Sequence, residues 1–541
     1  MTATMHGDAV PGTLYLINID GNGETVVGKT EGDIQLYPRP SNNSEDPLNW
    51  SSRRKTVVLS LTLLWVLAIG SAYAFPFSLL ADITHETGIS TTDLVQASGI
   101  LSLTCGWGCL IWQPVVATYG RRGMYVLSLA LCVPLTFWCA YLSTAWEWYV
   151  VRILYGLAMA PIETLPEVTI ADVCFAHQRG TWISFYVVAL FGSTYIGPLI
   201  SGWLTVAIGW RNTMMFIGVA CIASLILVFF FMEETMFIRK ALEGLEDEVS
   251  EASSPTLSVC EAQNAEVKAA VKINNQIAEP PTQKKTYFQK LALYCLLPGR
   301  PTVKQMFRNT YMPLVFIIQF PIIAWCGFIY GINISWFSVM NSTTSPILSA
   351  APYNFSSGLV GSMYAGPIVG TLLGCWWAGW VVDYLTLKLA RRNGGVREPE
   401  HRLWPLAVSA VLSCAGLIMY GVGAQHQAPW IVLAIGLALL TFAVVTGSSI
   451  ALSYNIDCFK DICSESITSV IVIRNTMGFA FSYAITPWYT NMGLQSCLIM
   501  AGFLSLGSLL TFLVFTWKGK TLRKIAAPRY YRYIEQSFTH E

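Results

Sequence analysis

The 541-residue sequence predicts an all-α membrane protein with twelve transmembrane helices in two six-helix bundles. Its residues are 54% hydrophobic and only 12% charged, against about 25% charged in a soluble domain. Long runs without any charge recur along it, each exceeding the roughly 20 residues needed to cross a bilayer core. All but three of the 33 Lys and Arg residues fall in or beside segments that can share one side of a membrane. Because Lys and Arg in short loops resist translocation, this bias sets orientation, with both termini in the cytosol. The exceptions are Arg211, which falls outside, and Arg152 and Arg474, which fall within spans.

The spans follow from the charges that bound them. Residues 1–52 form a polar cytosolic tail with no signal peptide, so the first span serves as the targeting signal. The first bundle, 53–235, has charge-free runs from Lys55 to Asp82, Asp93 to Arg121, Arg122 to Glu147, Arg179 to Arg211 and Arg211 to Glu233. Its span four, from about 148 to 170, is the exception and carries Arg152, Glu163 and Glu167. A cytosolic loop, 236–309, is rich in Glu, Ser, Ala and Asn in its middle, a composition that reads as a disordered tether. Near its end, Tyr287, Leu291, Tyr294 and Cys295 recur at helical spacing, as in a helix on the membrane surface. The second bundle, 310–517, places two spans between Arg308 and Asp383, around an external loop at 341–357. Two more lie between Arg402 and Asp457; then come span eleven with Arg474 and span twelve, and 518–541 form a second cytosolic tail. Asn341 and Asn354 begin glycosylation sequons in the expected external loop.

Several function classes find no support. Gly519-Lys520-Thr521 ends like a phosphate-binding loop, but Val514 stands where that motif needs its first Gly. No His-Glu-x-x-His run is present and no Cys spacing suggests a metal site, so neither metal nor cofactor is expected. The 14 Cys read as packing residues. A net charge of +1 carries no message about nucleic acid, since the cations serve topology. What remains is transport or sensing, not enzymatic chemistry.

Ionisable groups in hydrocarbon cost several kcal/mol unless paired or facing water, so they default to function. In a continuous helix the eleven residues from Arg152 to Glu163 rotate by three turns plus about 20°, which predicts one charged face that also includes Gly156 and Glu167. Glu163 is the candidate proton carrier or cation ligand; the bland alternative is that Arg152 and Glu163 only pair with neighbouring helices, or with each other, and hold the fold. Arg474-Asn475 form the matching polar pair in span eleven, and Asn333 in span seven is a further polar candidate. Span five carries Ser184, Ser193, Gly197-Pro198 and Ser201-Gly202, small residues that allow close helix approach.

Gly-Pro-x-x-small-Gly in span five resembles the antiporter motif of the major facilitator superfamily, with Ser at 184, 193 and 201 where that family has Gly. Arg152-x-x-x-Gly156 resembles its fourth-span Arg motif. Gly120-Arg121-Arg122 after span two, and Gly379-x-x-x-Asp383 with Arg391-Arg392 after span eight, resemble its repeated cytosolic loop motif. In the first copy Ala117 and Thr118 replace the usual Asp-Arg, leaving Asp172, Arg179 and Glu233 as substitutes. Three strings narrow the resemblance to a fungal branch of twelve-span drug:proton antiporters that includes polyamine and histidinol permease-like proteins: Asp46-Pro47-Leu48-Asn49-Trp50, Ala160 through Pro166, and Phe231 through Thr235. The resemblance implies two halves that rock around a midplane site.

Three readings follow. The first is proton-coupled efflux of a small organic compound such as a secondary metabolite, toxin or drug, in keeping with the 13% aromatic content. Uptake of a polyamine-like organic cation is the second, and a nutrient sensor without transport is the third. The expected partners are a small-molecule substrate, protons and membrane lipid, without nucleic acid. A glycosylated monomer in the plasma membrane is expected, with the vacuolar membrane as the alternative.

Overall fold

With no water in the bilayer core, a spanning chain must satisfy its backbone polar groups internally, and the charge-free runs do so as helices. The computed structural model describes residues 11–15, 30–31, 34–35, 46–237, 291–294, 302–393 and 396–538. Among these, ten helices are long and apolar enough to cross a membrane: Ser52–Ser78, Thr91–Tyr119, Arg122–Tyr141, Gln178–Ile208, Trp210–Phe231, Pro321–Ser349, Ser357–Arg392, Pro399–Gln425, Trp430–Cys458 and Leu494–Ile534. Two further segments complete the twelve. Span four is broken into Ala145–Met159, a short 3₁₀ turn at Ala160–Glu163, and Leu165–Val173. Span eleven, Cys463–Met492, is unbroken but carries Glu465, Arg474 and a series of hydroxyls. The two segments outside the apolar set are thus the two that hold the intramembrane charges. The expected tether and surface helix of the central loop fall almost wholly outside the described residues.

Several boundaries differ from expectation. Span seven runs through Ser349, so 341–349 is helix rather than loop. Its polar run is tolerated because Ser342, Thr343 and Thr344 donate to carbonyls one turn back, at 2.7 to 2.9 Å. Asn341 is consequently 1% exposed inside the bundle, which overturns its assignment as a glycosylation site. Asn354 lies exposed in the turn after span seven. Gly379 and Asp383 also lie within a helix rather than after it, Gly379 in a π-helical turn at Trp377–Val381. The last helix, Phe512–Phe538, continues past Trp517 into the expected tail.

The end of the first half that carries the basic clusters, the one expected to face the cytosol, is held by charge. Gly120, at φ +106°, turns the chain between spans two and three, where an L side chain would be strained. Arg121 then pairs with Asp172 at 3.1 Å and Arg54 with Glu233. Glu234 accepts the backbone N–H groups of Arg121 and Arg122 at 2.9 and 3.1 Å, a carboxylate at the positive end of span three. Arg122, 1% exposed, donates to the carbonyls of Phe229 and Met232. Arg179 donates to Ala171 and Cys174 and so caps span four. Asp172 and Glu233 therefore supply carboxylates at this end, where Ala117 stands in place of the motif's Asp.

In the second half, Asp383 pairs with Arg402 at 2.6 Å rather than with Arg391 or Arg392, and Arg402 also reaches Asp457 at 3.3 Å. Arg523 and Glu400, 0% and 4% exposed at the side chain, form two parallel hydrogen bonds of 2.9 and 2.6 Å. Arg523 also donates to the carbonyl of Pro11 at 2.6 Å, and Leu14–Tyr15 pair antiparallel with Val396–Arg397. The start of the chain is thereby pinned to the second half.

Small residues close the opposite end, the one expected to be external. A Cβ on Gly202 of span five would come within 2.3 Å of the Ser357 carbonyl and 3.0 Å of the Gly361 Cα in span eight. Trp203 donates to Ser362 at 2.9 Å beside this contact, and Ser357 bonds Asp82. Deeper in, Gly197 packs on Ser71 and Ala74 of span one, and Ser193 fills the space a side chain at Gly70 would need. Pro198 of span five lies against Gly361 through its carbonyl.

Two outcomes follow from these contacts. Arg523→Ala strands Glu400 as a buried, unpaired carboxylate and should cost about 3–5 kcal/mol of stability, read as a lowered Tm of the purified protein; an unchanged Tm would show the pair to be dispensable. Gly202→Val should reach the membrane but lose most transport, because its branched side chain holds spans five and eight apart. Transport at the wild-type rate would mean that the seal has room to spare.

Candidate functional site

Span four becomes a site because it cannot stay one helix. Pro161 lacks the N–H that an α-helix needs and Pro166 sits in the first turn of the next segment, so the chain passes through a 3₁₀ turn between them. The freed carbonyls are recovered by side chains from other spans. Tyr186 donates to Ile162 at 2.9 Å, Trp112 to Leu157 at 2.8 Å and the Cys109 thiol to Ala160 at 3.3 Å.

The break also changes the register. A continuous helix would put Glu163 on the face of Arg152, whereas here Glu163 turns across the molecule and forms an ion pair with Arg474 of span eleven. Their side chains are 12% and 6% exposed, and the Arg474 guanidinium lies 4.5 Å from the centre of the Tyr330 ring. The pair joins the first half of the chain to the second. Arg152 is not its partner. That guanidinium is buried, stacks over Trp148 at 4.4 Å and donates to the Tyr73 carbonyl at 3.4 Å, and its Nε and Nη2 have no partner among the described residues.

Two cavities meet at the pair. The larger, of about 220 Å³, is lined by Glu163, Glu167, Tyr186, Tyr330 and Arg474 and extends to Asp383 and Arg402 at the cytosolic end. The smaller, of about 90 Å³, lies on the other side and is lined by Tyr73, Ser102, Ser338 and Asn475. Glu163, Arg474, Leu190 and Phe191 belong to both walls. The ion pair therefore lies where two cavities adjoin, the larger of which runs on to Asp383 and Arg402.

The residues singled out in the sequence divide accordingly. Glu163, Arg474 and Asn475 come together, with Asn475 also packed against Gly106 of span two. Glu167 faces the larger cavity and forms no ion pair or hydrogen bond among the described residues. Asn333 lines neither cavity; it is fully buried, donates to the Ile329 carbonyl at 2.8 Å and packs against Gly447 of span ten. Gly379 and Asp383 line the cytosolic mouth, while Gly120, Arg121 and Arg122 stand apart from both cavities. Tyr186, Phe191, Tyr330 and Ser338 were not legible in advance, because aromatic and hydroxyl residues occur in nearly every span and no spacing marks these.

This arrangement has relatives. A transporter of Schizosaccharomyces pombe, described as an uncharacterized MFS-type transporter, is 29% identical, covering 97% of this chain and 95% of its own. A protein of Aspergillus flavus described as a probable efflux pump is 23% identical over 81% of this chain and 96% of its own. Among solved structures, the proton:xylose symporter XylE of E. coli shares the fold with a TM-score of 0.58 at 14% identity, over 88% of this chain and 99% of that one. The sequence matches the Major Facilitator Superfamily over residues 60–457. With two six-helix halves meeting at a central polar site, the chain belongs to the Major Facilitator Superfamily and is a membrane transporter rather than an enzyme.

Proposed function

We propose that the protein is a proton-coupled secondary transporter that exports a small organic compound by alternating access, with Glu163 and Arg474 as the coupling pair. The observation that carries this reading is the ion pair itself, formed between the two halves at the joint of the two cavities. While Glu163 is ionised, its attraction to Arg474 holds spans four and eleven together in a site of low dielectric. A proton on Glu163 removes that attraction, and the equilibrium between arrangements of the halves shifts by the difference in proton affinity between them. In the export cycle the ionised form loads substrate from the cytosolic cavity, and the protonated form returns empty.

Span five supports an antiporter. Its Pro198 and Gly202 make the close contacts with span eight that such a rearrangement must make and break, while Ser193 and Gly197 pack on span one within the first half. Export is further supported by the likeness, over 81% of this chain, to a protein described as a probable efflux pump. Glu167 favours the second reading, uptake of a polyamine-like organic cation, since an unpaired carboxylate in the cavity attracts positive charge. Flux of internal against external label in whole cells decides between them. We place the protein in the plasma membrane as a monomer, with the vacuolar membrane as the alternative and Asn354 as the remaining glycosylation candidate.

Growth of a null strain against a panel of toxic organic cations and metabolites identifies a transported probe. In vesicles, Glu163→Gln should lose nearly all pH-gradient-driven flux of that probe while still binding it, because the amide mimics the protonated acid permanently. Arg474→Ala should lose flux and stability together, by about 3–5 kcal/mol for a buried carboxylate left unpaired. The double variant Glu163→Gln/Arg474→Ala should recover much of that stability, since no charge remains. Normal rate, affinity and pH dependence in Glu163→Gln would reduce the pair to a structural link.

A further inference from the structure

Span seven carries a polar face that the cavities use only in part. Phe337 and Ser338 line the smaller cavity, and Phe337 meets the ring of Tyr195 in span five with centroids 5.7 Å apart. That side of span seven therefore looks toward the first half of the molecule. Residues three and four positions apart on a helix share a face, so Asn341, four beyond Phe337 and three beyond Ser338, continues it one turn higher. Ser345 continues it by another turn.

Both residues are sealed in, at 1% and 0% exposure. Neither amide atom of Asn341 nor the hydroxyl of Ser345 has a hydrogen-bond partner among the described residues. Their neighbours do not share the problem, because Ser342, Thr343 and Thr344 each bond a carbonyl of their own helix. The hydroxyls of Tyr195 in span five, across the seam, and of Tyr364 in span eight are likewise buried and unpartnered among the described residues. A buried amide without partners is unfavourable, and a leucine would fill a similar volume at no such cost. Packing does not explain the choice of residue. An arrangement in which the external ends of spans five and eight part would uncover this face.

We infer that Asn341, with Ser345 beside it, forms an external subsite of the transport path, which receives a hydroxyl, amide or ammonium group of the substrate when the external seal opens. An Asn amide offers both donor and acceptor, so it can serve any of these. When spans five and eight close, the subsite is stripped of its partners and buried. The inference rests on the alternating-access reading but not on the role of Glu163.

Two measurements on the full-length protein test it. In Asn341→Leu, an unsatisfied buried amide is replaced by apolar volume, so the Tm should hold or rise while the rate of probe transport falls about tenfold or more. A packing asparagine would give the reverse, a lowered Tm with turnover per folded molecule unchanged, and that result overturns the proposal. In Asn341→Cys, a membrane-impermeant maleimide added outside should label the protein above the wild-type background during turnover. Labelling that stays at background under all conditions overturns it as well, even if Asn341→Leu fails to fold. Should Glu163→Gln leave pH dependence untouched, the coupling reading falls while both readouts for Asn341 keep their meaning.

Discussion

A charge inside hydrocarbon must find a partner or water, and in this protein that requirement ties the two halves together. Glu163 and Arg474 come from spans separated by more than half the chain, and each would be costly alone. The break in span four, the recovery of its carbonyls by Tyr186, Trp112 and Cys109, and the division of the interior into two cavities all serve to bring this carboxylate to that guanidinium. A link made by charge can also be undone by a proton, which a link made by packing cannot.

The two ends of the molecule are closed by different physics. On the cytosolic side, ion pairs and helix caps dominate, with Arg121 on Asp172, Glu234 on the start of span three, and Arg523 on Glu400. These hold each half together internally. At the opposite end, spans five and eight meet by close backbone approach at Gly202 and Gly361, with Trp203 donating to Ser362 and Ser357 to Asp82 across the seam. No ion pair is among these contacts, whereas the clusters at the other end are built on them.

Motif strings acquire plain structural meanings here. Asp46 caps the turn before span one, and its neighbour Trp50 stacks under Arg54, which pairs with Glu233 from the string after span six. The first copy of the repeated motif lacks Asp-Arg at 117 and 118, and Asp172 of span four supplies an anion to Arg121 instead. In the second copy Arg402 supplies the cation to Asp383, and neither Arg391 nor Arg392 takes that place. Substitution by residues distant in sequence is invisible to a motif but obvious in the packed molecule.

The sequence by itself determined the all-helical fold with its spans and which of those spans carry ionisable residues. Each of these depends on local quantities, since lipid tests every segment separately for apolar length and every short loop for cations. Tertiary structure alone decided which charges meet. Extrapolating a regular 100° rotation through Pro161 put Glu163 with Arg152, and a local break in the helix sent it to Arg474 instead. Tertiary structure also buried Asn341 in a helix that its polar neighbours had made look like a loop, because Ser and Thr hydroxyls in span seven turn back on their own backbone. Partner choice depends on rotation and proximity between segments far apart in the chain, and no local pattern encodes either.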